Sequence, residues 1–194
     1  LFCRRYAQEL KDDAREHGKV LHLLRRSLRY EPQDGETHHG LADVLWAQLR
    51  HDDALVCYRF AACLDDKNEV RVKAYFAAAR CCRQTEVAMR LLEDRFARFG
   101  SRSGWPARTL CWAYEELDDQ GRALETLQEA VRLRPEDGDL LLFAADAYGR
   151  HGRSQEASEF LAKAESITRR TEWLRGAACL DLYRGDLHGA LGRW

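Results

Sequence analysis

The sequence is poor in the residues that build strands and in those that interrupt helices. Isoleucine occurs once, at Ile167, and there are only 3 prolines in 194 residues. Runs rich in valine, threonine and isoleucine, which are typical of strands, are missing. Alanine, leucine, arginine, glutamate, aspartate and glutamine dominate instead, and most of these favour helices. The composition therefore predicts an all-α fold.

An excess of charge of either sign is also missing. The formal net charge is −1, from 31 Lys and Arg against 32 Asp and Glu. Acidic and basic residues are interleaved, as in LLEDRFAR at 91–98. Nucleic-acid-binding domains usually carry a basic stripe, so a nucleic-acid partner is not expected. Arginine outnumbers lysine by 26 to 5, which fits either recognition of carboxylates or biased codon usage.

Membrane and secretion signals are not found either. No apolar run approaches the roughly 20 residues that span a bilayer, and no signal peptide is recognisable. The 7 cysteines are odd in number, and most lie in helical apolar patterns. This usage predicts reduced, buried thiols and a cytoplasmic protein. The chain begins at Leu1 and ends at Trp194 within a helical pattern, so we expect a fragment of a longer chain.

A period of 34 or 35 residues runs through the chain. Small residues recur at intervals of 34, 35 and 34 positions, at Ala54, Ala88, Ala123 and Ala157. A large apolar residue follows four positions after each, and a mostly small residue three positions later. The preceding segments repeat in step, as LADVLWAQL, YFAAARCC, LCWAYEEL and AADAYGRHG. Each unit is predicted to be two helices joined by a tight turn, such as Gly152, with small residues allowing close packing.

The repeated unit resembles the tetratricopeptide repeat. That family has W-x2-L-G-x2-Y in its first helix, A-x3-F and a further Ala in its second, and a closing Pro. Leu110, Tyr114, Ala123, Leu127 and Pro135 match it well. The resemblance implies an α-solenoid, a superhelix of stacked antiparallel helix pairs with five repeats and a partial sixth. The expected repeats are 1–34, 35–68, 69–103, 104–137, 138–171 and the partial 172–194. The first helix of repeat one departs from the pattern at Gln8 and Lys11.

The resemblance also implies a function, because first helices line a concave groove that binds proteins in that family. We expect a non-enzymatic interaction scaffold whose partner is a peptide or protein with acidic groups. Transferred groove positions give a basic strip flanked by tryptophans, and both residue types are common interface anchors. The implied partner-binding residues are His39, Asp43, Trp46, Lys73, Arg80, Trp105, Arg108, Trp112 and Arg150. The alternative is that these tryptophans only cover helix edges.

One subclass of the family is not expected. Domains that bind the C-terminal carboxylate of cytosolic heat-shock chaperones use a set of Lys, Asn and Arg residues. Asparagine occurs only once in this chain, at Asn68 in a predicted loop. A chaperone carboxylate clamp is therefore disfavoured.

Residues that could carry chemistry do not assemble into a site. The His38-His39 and Cys81-Cys82 pairs would lie roughly 14 Å apart at the helical rise, too far to share zinc. Cys82 is expected in the core and Cys81 on the groove. Pairs of aspartates recur at helix starts, where they are expected to act as caps, and His151 and His188 are expected to be solvated turn residues. No phosphate loop, zinc-protease or nucleophile-elbow motif occurs, so no cofactor, metal or catalysis is expected.

Other functions stay open. The chain is compatible with a regulatory or substrate-recruiting region of a larger enzyme, such as a glycosyltransferase or protease. A helical-repeat RNA binder is disfavoured by the 34-residue spacing and the balanced charge. Self-association is also expected, because the C-terminal end presents Leu187, Leu191 and Trp194 with no capping helix.

Overall fold

The structure is a computed structural model that describes Ala7 and residues 14–193. A short 3-10 helix, Ala14–Glu16, is followed by eleven α-helices. They are α1 His17–Tyr30, α2 Gly35–Ala47, α3 His51–Leu64, α4 Glu69–Cys81, α5 Thr85–Phe99, α6 Trp105–Glu115, α7 Gln120–Leu133, α8 Gly138–Arg150, α9 Ser154–Ala164, α10 Arg170–Tyr183 and α11 Leu187–Arg193. Within this described part of the chain there is no strand, and the all-α prediction is confirmed. Gln8 and Lys11 lie outside the described residues.

Side-chain caps recur at the starts of the helices. Asp34 accepts a hydrogen bond from the Glu36 amide at 3.2 Å. Asp137 accepts one from the Leu140 amide at 3.1 Å, three repeats further on. Asn68 occupies the same position at the start of α4. Because free amides at a helix start need acceptors, these residues help to fix where α2, α4 and α8, the first helices of three pairs, begin.

The paired aspartates act as caps only in part. Asp119 accepts a hydrogen bond from the Arg122 amide at 3.1 Å, as expected of a cap. Asp52 and Asp53 lie instead inside the first turn of α3, and Asp53 accepts a hydrogen bond from Arg50 Nε at 2.9 Å. The Asp12-Asp13 pair lies outside the described residues.

In the five helix pairs of which both helices are described, from α2–α3 to α10–α11, the turn inside the pair contains one residue in the left-handed region. Its φ is 62° at Leu49, 56° at Arg83, 58° at Asp118, 74° at Gly152 and 78° at Gly185. This region is easily reached by glycine and costs other residues energy. The same turn geometry recurs once per repeat although only two of the five residues are glycine.

The chain separates into two compact units, with the boundary between Leu92 and Glu93 inside α5. In unit 1, α1 packs on α2, α2 on α3, and α3 on α4. In unit 2, α6 packs on α7, α7 on α8, and α8 on α9, while α10 contacts α8, α9 and α11. Within each unit, consecutive helices thus pack on one another, and the second helix of a pair also contacts the first helix of the next pair, as in a solenoid. The repeat boundaries and the single-domain organisation stay predictions.

The core follows the repeat pattern. The small residues Ala54, Ala88, Ala123 and Ala157 are each 0% exposed. The large apolar residues four positions later are also buried, at Tyr58, Leu92, Leu127 and Leu161. Removal of apolar surface from water is the main favourable term in folding. The repeated apolar positions therefore contribute to the stability of the core in both units.

The cysteines are distributed differently from the prediction. All six described cysteines are free, but only Cys111 is buried. The prediction of buried thiols is wrong for Cys63, which is exposed, and Cys82 is only partly buried rather than in the core. Cys81 is exposed, in line with its expected position outside the core. Cys63 and Cys81 lie in the last turns of α3 and α4, where an apolar sequence pattern continues beyond the packed face. Cys3 lies outside the described residues.

None of the described helices has the length and apolar character that crossing a bilayer requires.

Candidate functional site

In unit 1, three predicted partner-binding residues gather around Tyr58. His39, Asp43 and Trp46 lie on successive turns of α2, and α3 brings Tyr58 against them. The Tyr58 hydroxyl donates to Asp43 Oδ1 at 2.8 Å. The Trp46 ring centroid lies 6.3 Å from that of Tyr58, in an edge-on arrangement. These partly buried residues therefore form one polar and aromatic cluster.

The carboxylate of Asp43 is engaged within this cluster. His39 Nε2 lies 3.8 Å from Asp43 Oδ1, in addition to the bond from Tyr58. Burial, followed by the hydrogen bond to Asp43, raises the pKa of Tyr58 far above its usual range, so the phenol stays a donor. Trp46 also meets His51 edge-on, with centroids 4.4 Å apart. The cluster is thus held together from both helices of the pair.

The two predicted basic residues of unit 1 lie on α4. Lys73 and Arg80 are seven positions apart, which places them on the same side of a helix two turns apart. Both side chains are exposed. The Arg80 guanidinium carbon lies 5.9 Å from the centroid of Phe76, itself fully buried. Unit 1 therefore presents two cations to solvent, one of them beside a fixed aromatic ring.

In unit 2, Arg108 is clamped between two aromatic rings. Its guanidinium carbon lies 4.8 Å from the centroid of Trp105 and 4.7 Å from that of Phe143. Its Nη2 donates to the backbone carbonyl of Asp139 at 3.0 Å. Trp105 remains 57% exposed, so one face of this stack is open to solvent.

The charge of Arg108 is poorly compensated by its surroundings. Burial lowers the pKa of its guanidinium, and the nearby carboxylates of Asp139 and Asp137 only partly oppose this. The buried Nε of Arg108 has no hydrogen-bond partner among the described residues. A rigid, partly desolvated guanidinium of this kind favours an incoming acceptor.

A cavity of about 260 Å³ opens beside Arg108. It lies where the loop before α6 meets the start of α8. Arginines 102, 108 and 134 and aspartates 137 and 139 supply its charged groups, and Trp105 supplies an aromatic wall. Arg134 Nε is paired with Asp137 Oδ2 at 2.8 Å. The cavity therefore combines an aromatic surface with a predominantly cationic lining.

Arg150 is part of a polar network that links three first helices of unit 2. Its guanidinium lies 3.3 Å from Glu115 on α6 and 3.1 Å from Asp146 on α8. The Tyr183 hydroxyl on α10 donates to Asp146 Oδ1 at 2.7 Å. Arg150, a predicted partner-binding residue, is thus already held by two carboxylates. Its guanidinium therefore helps to hold α6 and α8 together.

The expectation for His151 is wrong. Its Nε2 lies 3.0 Å from Glu115 Oε1, and its side chain is only 16% exposed. The residue follows α8 directly, where the turn points back toward α6 rather than into solvent. His188, by contrast, is exposed on α11.

Trp112 is partly buried on α6, so it supplies less open surface than Trp105. At the other end of unit 2, Leu187 is 64% exposed and Leu191 is 73% exposed on α11. Trp194 lies outside the described residues.

Several residues of these sites were missed by sequence reasoning. Phe143 stacks on Arg108, and Tyr183 bonds Asp146. For Tyr183 a signal existed, because it repeats the positions of Tyr114 and Tyr148 at spacings of 34 and 35. Phe143 has no such signal, since its contact depends on how α6 and α8 approach each other. In the part of the chain described, no group of three or more His, Cys, Asp or Glu residues is arranged to hold a metal ion.

Known proteins resemble this chain in sequence and fold. The tetratricopeptide repeat family model matches residues 111–137. A Drosophila melanogaster protein, the BBSome complex member BBS4 homolog, is 24% identical over 190 residues, covering 92% of this chain and 39% of that protein. The chain therefore spans well under half the length of this relative.

Two solved structures share the fold. Yeast Tom70 superposes with a TM-score of 0.60 at 16% identity, covering 90% of this chain and 38% of that one. PilW, described as a widely conserved type IV pilus biogenesis factor, gives a TM-score of 0.54 at 13% identity, covering 99% of this chain and 89% of that one. At such identities the likeness is one of fold.

Proposed function

Since the chain carries the tetratricopeptide repeat pattern at residues 111–137 and shares its fold with known repeat structures, we propose that it is a non-catalytic scaffold whose first helices, in each unit by itself, bind acidic segments of a partner protein. Repeats of this type generally serve protein interaction. The proposed contacts are Lys73 and Arg80 in unit 1, and Trp105, Arg108 and Trp112 in unit 2. We place the protein in the cytoplasm, because the six described cysteines are all free and free thiols are typical of reducing compartments.

The observation that carries the proposal is the stack of Arg108. The guanidinium is fixed between Trp105 and Phe143, so little side-chain entropy is lost when it binds an acceptor. Arginine and tryptophan in such settings often contribute strongly to protein interfaces. An acidic partner would supply the compensating charge that the described surroundings of Arg108 provide only in part.

Charge reversal tests the proposal. Partner proteins would be recovered from a lysate with the wild-type chain, with Arg80→Glu, with Arg108→Glu and with the double variant, and quantified by mass spectrometry. We expect partners recovered by the wild-type chain to be depleted in each single variant and lost in the double variant, because each change places a carboxylate opposite the acidic segment. Unchanged recovery by the double variant would refute a first-helix site.

The matched controls are Arg90→Glu and Arg98→Glu. Both arginines are exposed on α5, the second helix of its pair, and each makes the same change in net charge. Recovery should be unaffected by either control. An equal loss in the controls would indicate nonspecific electrostatics rather than a defined surface.

A second interaction is favoured by the exposed apolar residues of α11. Leu187 and Leu191 are four positions apart and therefore lie on one side of the helix, where both are largely exposed. We propose that this side pairs with a second copy of the chain at high concentration.

A further inference from the structure

We infer that the cavity between Trp105, Arg108 and the start of α8 is a subsite for a glutamate or aspartate side chain of the partner. This rests on the proposed scaffold function and names one position within it. The subsite lies at the ends of helices in unit 2 and includes groups that the sequence pattern did not assign to the partner-binding face, notably Arg102 and Arg134.

The lining favours an anion. Arg102, Arg108 and Arg134 line the cavity together with two aspartates, Asp137 and Asp139. One of these, Asp137, is already engaged, because it pairs with Arg134 at 2.8 Å and caps the Leu140 amide at 3.1 Å. The described residues place no carboxylate in ion-pair contact with Arg108. The cavity therefore has unused positive charge after its internal pairs are formed.

Two helix starts reinforce that charge. The cavity is lined by Gly104 and Trp105 at the start of α6, and by Asp139 and Leu140 at the start of α8. Gly104 supplies no side-chain cap to α6, and Ser103 Oγ accepts a hydrogen bond from the Trp105 amide at 3.3 Å. Helix starts carry partial positive charge that stabilises nearby anions. Both helix dipoles thus act in the same direction as the Arg108 guanidinium.

The shape of the site favours a carboxylate side chain over a phosphate. Trp105 offers an open aromatic surface beside the guanidinium, and the methylene groups of glutamate can pack there while the carboxylate meets Arg108. The subsite also needs no chain terminus, since the recognised group is a side chain.

The test uses the whole chain and three probes. These are a hexaglutamate peptide blocked at both ends, the equally blocked hexaglutamine peptide, and inorganic phosphate. The readout is the 15N–1H indole resonance of Trp105, which is assigned among the 5 tryptophans with Trp105→Phe, together with the Leu140 amide. We expect saturable shifts of both resonances with hexaglutamate and none with hexaglutamine.

Variants measure the role of Arg108. Arg108→Gln should raise the apparent Kd for hexaglutamate by about tenfold or more, as expected for loss of a charge-assisted hydrogen bond. Arg98→Gln, outside the cavity, should leave it unchanged. Circular dichroism checks that each variant is folded, and the shift map of the wild-type chain tests the location even if Arg108→Gln unfolds.

Three results would overturn the subsite. They are equal shifts with hexaglutamine, saturation by phosphate at lower concentration than by hexaglutamate, and a shift map that leaves Trp105 and Leu140 unmoved. If these occur while Arg80→Glu still depletes the partner, the scaffold stands and the subsite is wrong. If hexaglutamate binds the cavity but the double charge reversal leaves partner recovery unchanged, the subsite stands and the scaffold proposal is wrong.

Discussion

The hydroxyl of Tyr183 donates a 2.7 Å hydrogen bond to Asp146, and this bond joins residues 37 positions apart in the chain. It connects α10 to α8, the first helices of neighbouring pairs. Asp146 in turn contacts Arg150, which reaches Glu115 on α6. A chain of polar contacts therefore runs across the same first helices that we propose as a binding surface.

The pH dependence of stability should reveal the Tyr183 contact. Burial, followed by the bond to Asp146, raises the pKa of Tyr183 to about 12. Because the folded state favours the neutral phenol, this contribution is fully present below pH ~10, the usual tyrosine pKa. It should be lost as the pH rises through about 12. Tyr183→Phe should lower the free energy of unfolding by about 1 kcal/mol at neutral pH and flatten this alkaline decline.

Urea unfolding of both proteins between neutral and alkaline pH gives the comparison. Tyr30→Phe is the control, because Tyr30 is 75% exposed. An alkaline decline as steep in Tyr183→Phe as in the wild-type chain would contradict the role of this tyrosine.

Because the turns require a left-handed residue, introducing glycine at one position and removing it at an equivalent position should change the free energy of unfolding in opposite directions. Leu49 has a φ of 62° and Gly152 a φ of 74°. Leu49→Gly should raise the free energy of unfolding by about 0.5–1 kcal/mol, because relief of strain exceeds the added freedom of the unfolded chain. Gly152→Ala should lower it by about 1 kcal/mol.

Gly18→Ala separates strain from a general effect of alanine. Gly18 lies in α1 with no neighbouring heavy atom within 4 Å of an added Cβ, so this change should stabilise the helix by about 0.5–1 kcal/mol. Destabilisation by Leu49→Gly in thermal or urea unfolding would refute the strain argument.

Thiol labelling should divide the cysteines by burial. Burial, followed by the charge of Glu115, raises the pKa of Cys111 to about 12, whereas Cys63 and Cys81 are exposed. Because the thiolate is the reactive form, iodoacetamide should modify Cys63 and Cys81 at least about a hundredfold faster than Cys111. Peptide mass spectrometry after timed labelling measures the rates, and labelling in urea should remove the difference. Equal native rates would contradict the packing around α6.

Self-association through α11 should depend on its exposed leucines. Leu187→Glu with Leu191→Glu should keep the chain monomeric in sedimentation at concentrations where the wild-type chain associates, since carboxylates cannot be buried against an apolar surface without cost. Leu133→Glu is the control, because Leu133 is exposed on α7. A wild-type chain that sediments as a strict monomer at high concentration would show that this interface does not form.

The sequence specified the core better than the surface. Ala54 and Ala157 could be placed because a residue between two close backbones must be small, and the chain repeats that demand. Arg150 and His151 could not be interpreted in the same way. Their surroundings depend on Glu115, 35 and 36 positions earlier, and periodicity within one repeat does not reveal which side chains pair across neighbouring repeats.

The same reasoning explains why the repeat pattern indicated some residues around Arg108 and missed others. Repeat positions indicated Trp105 and Arg108, but the second aromatic ring that contacts Arg108 is that of Phe143, which lies on another helix. The cavity depends on the loop before α6, which does not follow the repeat pattern of the helices, and on how that loop approaches the cap Asp137 before α8. Such details require the three-dimensional approach of α6 and α8.

The most direct test of the account is the affinity of a recovered partner for the double variant Arg80→Glu with Arg108→Glu, measured by biolayer interferometry at low and at physiological salt. We predict that the double variant binds at least about tenfold more weakly than the wild-type chain, whereas Arg90→Glu with Arg98→Glu binds normally, and that wild-type affinity falls with salt. Equal affinity of the wild-type chain and the Arg80 and Arg108 double variant would contradict recognition on the first helices.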